Sequence, residues 1–319
     1  MPRFDVTAIG EGQLRFSVPA GTRLEQARQL DVYASGTEAN VTCTLSRLGW
    51  QCGWVSALPE TPLGRRVANE YRLAGLDLSA VKWSRKHRLA TYYVEYAVPP
   101  RATQVYYDRA DTCFNHLKVG DVPWEYLLNT RVLHLSGLTV ALCKGTHALI
   151  RECLQRAKKR TLKTSLDVNY RSRLWSPEEA RAALTPLIKG LDILFCSRRD
   201  AKTVFGLEGD PDTVIRQLHK LSGAAFVVMS MSHEGILGFD GHITFREPIR
   251  EVIILDRIGA GDAMVAGVLH GYLQGDFSKG LKYGALTAAM ALSQHGDQPL
   301  VSRFELEQLT TSPNDDIVR

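Results

Sequence analysis

The run Asp256-Arg257-Ile258-Gly259-Ala260-Gly261-Asp262-Ala263-Met264 gathers small residues and two carboxylates at a single turn, a combination that phosphoryl-transfer chemistry can use. A strand expected over residues 252–255 leads into this turn, and a helix expected from residue 260 to about 273 follows it. A helix N-terminus carries unpaired N–H groups and a partial positive charge, so glycines there let an anion approach the main chain closely. Asp262 falls in the first turn. Held ionised, its carboxylate would accept a proton from an attacking hydroxyl, while the amides of Gly259, Ala260 and Gly261 stabilise charge on the group being transferred. The same residues also describe a plain strand-to-helix turn with Asp262 as a capping group, and this run alone does not separate the two readings.

A second candidate lies far upstream, where Ala34-Ser35-Gly36-Thr37-Glu38-Ala39-Asn40 enters an amphipathic stretch closed by Leu48-Gly49. Gly36 permits close approach of the backbone to a ligand. Asn40 is either a ligand to that group or an ordinary helix-surface amide.

The elements that position these runs follow an α/β pattern. Short apolar or β-branched runs near residues 4–9, 52–57, 131–135, 163–168, 192–196 and 225–230 alternate with amphipathic stretches near 38–48, 63–74, 144–157, 177–189 and 212–221. A further helix is expected from 278 to about 294. Residues 12–34 and 89–108 interrupt the alternation with strand-like sequence and no helix, which suits a small β-sheet lid over a mainly parallel central sheet. The expectation is one domain over residues 1–319, a three-layer α/β/α fold with that lid, ending in a flexible tail at 311–319.

Composition narrows the function classes. Hydrophobic residues at 45% and charged residues at 23% suit a globular enzyme and argue against extensive disorder. The net charge of +5 is modest, and the basic run 156–163 has no interleaved stacking aromatics, so a nucleic-acid partner is not expected. The six cysteines form no C-x-x-C pair and have no histidine at metal-ligand spacing, so no metal-ligating residue is assigned and a reducing cytoplasm is expected. No apolar run reaches the roughly 20 residues that a bilayer-spanning helix needs.

Residues Asp256 through Gly267 resemble the signature D-x-x-G-A-G-D-A-x-x-A-G of the ribokinase-like (PfkB) carbohydrate kinases at every fixed position. Ser35 through Asn40 are similar to that family's upstream G-G-x-x-x-N signature, with Ser35 in place of the first glycine. The resemblance implies ATP and Mg2+ as cofactors and Asp262 as catalytic base. It also implies a small sugar or sugar-acid partner and a homodimer paired through the lid. Within the family, Tyr33 to Asn40 look like the Y-V-G-G-A-E-x-N form of 2-keto-3-deoxygluconate kinases. Tyr107-Asp108-Arg109, His134-Leu135-Ser136-Gly137, Asp167-Val168-Asn169-Tyr170-Arg171 with Leu174-Trp175, and Gly296-Asp297 resemble further segments of that group. Carried across, the resemblance places Gly36, Glu38, Asn40, Tyr92, Tyr107, Arg109, Arg171 and Asp297 around the sugar. It places Asn169, Ser197, Ser230, Ser232 and Gly235, with Gly259 and Gly261, on the nucleotide side. Tyr93 and Tyr96 are alternatives to Tyr92 by spacing. Two arginines suit a 2-keto acid, because each forms charge-assisted hydrogen bonds to a carboxylate.

Several positions depart from the pattern. Asp111 and Phe114 stand where small residues are usual, and a carboxylate at 111 facing a bound carboxylate would oppose it; either Asp111 points away or the acceptor is less acidic. Ser197-Arg198-Arg199-Asp200 replaces an N-x-x-E motif, and the run from Ser230 to Gly235 keeps only its last glycine. The rival readings are a kinase of a fructose-like or ribose-like sugar and a non-catalytic sugar or nucleotide sensor. A dinucleotide-dependent oxidoreductase is weaker still, since the first strand is not followed by a G-x-G-x-x-G helix.

Overall fold

A computed structural model describes residues 2–96 and 98–311. The chain runs β1 (Phe4–Ile9), β2 (Gln13–Val18), β3 (Asp31–Ser35), α1 (Thr37–Arg47), β4 (Cys52–Pro59), α2 (Pro62–Leu73), β5 (Val81–Ser84), β6 (Ala90–Glu95) and β7 (Gln104–Asp108). It continues through α3 (Trp124–Leu127), β8 (Thr130–Ser136), α4 (Gly137–Ala141), α5 (Lys144–Lys159), β9 (Lys163–Asp167), α6 (Pro177–Leu187), β10 (Ile193–Ser197) and α7 (Arg198–Phe205). The last third holds α8 (Pro211–Ser222), β11 (Phe226–Ser230), β12 (Ile236–Phe239), β13 (Thr244–Glu247), α9 (Ala260–Leu273), α10 (Phe277–Leu292) and α11 (Arg303–Thr311).

Nine strands form one sheet in the order β13-β12-β11-β10-β9-β8-β1-β4-β5. The strands from β5 across to β11 are parallel, and β12 and β13 close one edge antiparallel. Chain order proceeds outward in both directions from β1, so a crevice opens at the carboxyl ends of the strands beside it. Alternate residues feed the two faces: Trp54 packs in the layer with α1, α2, α9 and α10, and Val55 in the layer with α5, α6 and α8. Helix ends follow local chemistry. Ser176 and Glu179 form a capping box with Pro177 at the first helical position of α6, and Asp210 with Pro211 does the same work for α8.

β3, β2, β6 and β7 pair in that order as a separate four-stranded sheet, the expected lid. α9 is buried on nearly all sides and runs against α10, where a Cβ on Gly271 would lie 2.3 Å from the Gly280 Cα.

The strand expected at 252–255 does not form. β13 already closes the sheet edge, and the segment instead runs beside α10, with the Leu255 amide donating to the Leu292 carbonyl at 2.8 Å. Its β-branched side chains line a cavity rather than a sheet: Val252 and Ile254 face it, and Ile253 is 83% exposed. β5, β12, β13, α7 and α11 are elements the periodicity did not single out. Of the expected tail, Thr311 ends α11 and the remainder lies outside the described residues. The basic run 156–163 carries its own partners, with Arg156 on Glu152, Arg160 on Glu125 and Lys163 on Asp192.

Candidate active site

Asp262 sits one turn into α9 and meets α1 side on. Its two carboxylate oxygens accept from the Thr37 hydroxyl at 2.6 Å and from the Asn40 amide at 2.7 Å. Asn169, at the end of β9, donates to the Thr37 hydroxyl at 2.9 Å. The two sequence runs with chemical potential therefore converge through direct hydrogen bonds. Asn40 is 2% exposed, not a surface amide. Burial raises the Asp262 carboxyl from 3.8 to about 6 against the lowering pull of the Thr37 and Asn40 bonds. The carboxylate is thus ionised at neutral pH, but it is harder to ionise than a free aspartate.

Gly259 caps α9 in a left-handed conformation, φ 87°, and a Cβ there would lie 2.1 Å from the Asp297 carbonyl oxygen. Only glycine satisfies both demands. Asp256 holds the turn from the other end, accepting from the Ile258 amide at 3.0 Å and the Gly296 amide at 3.2 Å. The amides at the start of α9 consequently face the crevice from a fixed frame.

A cavity of about 370 Å3 lies between this turn, the strand ends and the lid. Tyr92, Tyr107, Arg109, Arg171, Asn40, Asn169 and Asp297 line it, with Gln13, Ser35 and Thr37. Gly36 stands between two of these lining residues, and a Cβ on it would meet the Glu11 carbonyl at 2.4 Å. Glu38 does not reach this cavity. It is buried against Gly10, accepts from the Thr139 hydroxyl of α4 at 2.5 Å, and its carboxyl is pushed up to about 8 by burial. Of the tyrosines on β6, Tyr92 points inward at 3% exposure and Tyr96 reaches Arg15 instead.

The two arginines differ. Arg109 is buried and already paired: its Nε and Nη2 donate to Glu11 at 3.1 and 2.7 Å, while Thr112 donates to the other oxygen of the same carboxylate. Arg171 is exposed and makes no ion pair among the described residues. Asp111 points away from the cavity, in a left-handed conformation (φ 55°) and bonded to His116 at 2.5 Å. Phe114 fills the core at 1% exposure.

Across the Gly259–Gly261 turn lies a second, more apolar cavity of about 840 Å3, lined by Ile236, Val252, Ile254, Met264, Ala288 and Leu292 together with Ser230, Ser232 and Gly235. Gly261 and Arg257 border both cavities, and Ser197 and Ser230 border the first one as well. Asp167 and Asp200 also face the first cavity. Burial pushes Asp167 up to about 8, helped by the charges of Asp262 and Asp200, and burial also raises Asp200. The buried Asp200 Oδ1 has no hydrogen-bond donor among the described residues and lies 3.7 Å from the Arg199 Nε in a loose ion pair. Two carboxyls on one cavity wall offer the hard oxygen ligands that a divalent cation takes.

Sequence reasoning assigned no role to Arg15, Thr37, Asp167 or Arg257. Thr37 and Asp167 stand within segments that resemble the family's motifs. Arg15 gave no local signal, because Gln13, Arg15 and Ser17 alternate with Leu14, Phe16 and Val18 and read as the solvent face of β2.

A fold and a site of this kind define a phosphotransferase acting on small alcohols, and residues 5–303 match the model of the pfkB family carbohydrate kinases. The chain belongs to this family and is a sugar kinase. It is 36% identical to the 2-dehydro-3-deoxygalactonokinase of Haloferax volcanii, with 96% of each chain covered. It is 27% identical to the 2-dehydro-3-deoxygluconokinase of Thermoproteus tenax, covering 95% of this chain and 93% of that one. The crystal structure of 2-dehydro-3-deoxygluconokinase from Thermotoga maritima superimposes with a TM-score of 0.91 at 28% identity, over 97% and 100% of the chains. A sugar kinase of Pyrococcus horikoshii in complex with ATP shares the fold, with a TM-score of 0.81 at 20% identity over 96% and 98% of the chains.

Proposed function

We propose that this kinase transfers the γ-phosphoryl group of ATP to the terminal hydroxyl of a 2-keto-3-deoxy sugar acid, either 2-keto-3-deoxygluconate or the galactonate epimer. One observation carries the reading: Asp262, fixed by Thr37 and Asn40 at the N-terminus of α9, faces a cavity that also holds Tyr107 and the unpaired guanidinium of Arg171. Names of relatives that act on such acids support the same acceptor.

Arg171 and Tyr107 would bind the acid end, placing the far hydroxyl at Asp262. Asp262 accepts the hydroxyl proton as the oxygen attacks, and the Gly259–Gly261 amides with Arg257 face the charge that moves onto the transferred group. The apolar cavity beyond Gly261 suits an adenine ring. Mg2+ would be held by Asp167 and Asp200, where it supplies charge neutralisation for the phosphates. The six free cysteines suit a cytoplasmic location. A homodimer would pair through the lid, whose outer face carries Phe16 stacked on Tyr93 at 5.4 Å.

A second reading, a neutral keto sugar, is favoured by the pairing of Arg109 with Glu11, which leaves Arg171 to meet a carboxylate without Arg109 beside it. An acceptor panel with ATP separates them. Loss of a charge-assisted contact of about 1.5–3 kcal/mol predicts at least a tenfold lower kcat/KM for neutral sugars than for the acids. Preference for fructose or ribose over both acids would overturn the sugar-acid reading.

A further inference from the structure

Arg15 on lid strand β2 has a side chain with no exposure to solvent, and it is flanked by two carboxylates that are equally buried, Asp256 and Asp297. Its Nη1 donates to Asp297 at 2.8 Å, and its Nη2 donates to Asp256 and to the Tyr96 hydroxyl. The rings of Tyr33 and Tyr96 lie 5.0 and 5.7 Å from the guanidinium carbon. A fully buried arginine is rare unless its terminal nitrogens are matched, and here Nη1 and Nη2 take partners from opposite ends of the turn while Nε has none among the described residues.

The two carboxylates are the two supports of the anion-binding turn. Asp256 begins the turn and bonds the Ile258 and Gly296 amides. Asp297 presses its backbone carbonyl against Gly259, at the distance a Cβ would violate, and receives the Ser35 and Tyr92 hydroxyls on its side chain at 2.5 and 2.6 Å. One guanidinium therefore joins the lid sheet to both ends of the frame that aims the Gly259–Gly261 amides. We infer that Arg15 is a positioning residue for phosphoryl transfer, a built-in cation that holds the anion-binding turn in register with the lid. It touches no reacting atom in this role. A lysine would place a point charge on one carboxylate but cannot span both.

This inference rests on the proposed role of the α9 N-terminus, so the test compares variants with wild-type enzyme on whichever acceptor wild type turns over best. Failure of the sugar-acid reading would appear in wild type, and failure of this one only in the variants. Arg15→Ala is expected to lower kcat about a hundredfold, the scale of an ångström of misplacement at a reacting centre, with the KM for ATP changed less than threefold. Added guanidinium ion should restore at least a tenth of the lost kcat, an effect that repair of general stability does not predict. Arg15→Lys keeps the buried charge and answers the question should Arg15→Ala not fold. It is expected to melt within a few degrees of wild type yet lose tenfold or more in kcat. An Arg15→Lys enzyme with kcat within twofold of wild type, or a folded Arg15→Ala enzyme whose kcat loss guanidinium leaves untouched, would overturn the inference.

Discussion

Replacing Asp262 by asparagine should stabilise the protein at neutral pH while disabling it. The folded-state carboxyl is raised from 3.8 to about 6, chiefly by burial. A raised folded pKa means that the native state holds this proton more tightly than the unfolded chain. The associated stability is present in full below pH 3.8 and is lost as pH rises through about 6. Above that point the ionised group costs about 3 kcal/mol by linkage. Asp262 is only half-buried, and water reaching it reduces this to about 1–2 kcal/mol. Asparagine keeps the hydrogen-bonding oxygen for Thr37 and carries no charge to desolvate. Thermal melts at pH 7.5 should place the Asp262→Asn transition about 2–4 °C above wild type, and the gap should shrink as pH falls from about 7 to 4. A variant that melts at or below wild type, or a gap independent of pH, would refute the claim that the active-site carboxylate is held under desolvation strain.

Three further outcomes follow from the same geometry. Gly259→Ala meets the Asp297 carbonyl at 2.1 Å in a backbone region closed to alanine, so turnover should fall about a hundredfold in steady-state assays with a loss of about 1–3 kcal/mol in chemical denaturation. Arg109→Ala leaves Glu11 buried and unpaired, which should cost about 3–5 kcal/mol, and the added change Glu11→Gln should recover much of it; an unaffected single variant would mean that Arg109 is held for substrate alone. Arg171→Ala, at an exposed and unpaired arginine, should leave the melting temperature unchanged and raise the KM for the sugar acid tenfold or more, as read by initial rates across acceptor concentration.

What the sequence disclosed, and what it hid, has a physical pattern. The Asp256–Gly267 turn and the Gly36–Asn40 segment were legible because their requirements are local: a glycine with positive φ, a helix start, a carboxylate in the first turn. Their convergence through Asn40 and Asp262 followed from family resemblance, not from spacing. Residues 252–255 were misread because β-branched side chains lining a cavity look the same in sequence as those lining a sheet. Arg15 was invisible since its partners lie 241 and 282 residues away and nothing local marks them. Asp111 could be recognised as a misfit, but its turn away from the cavity depends on His116 and a left-handed backbone that only the fold supplies. Glu38 was placed with the sugar by its position in the motif; the structure puts it one layer deeper, against Gly10.

The proposed phosphoryl transfer to a sugar hydroxyl turns on Asp262. It is tested most directly by acceptor-dependent ADP release at saturating ATP and sugar acid, wild type beside Asp262→Asn, at pH 7.5. The expected outcome is a loss of about three orders of magnitude or more in kcat with nucleotide binding retained, on the scale of removing a general base from a preorganised site. Turnover by the variant within tenfold of wild type would contradict it.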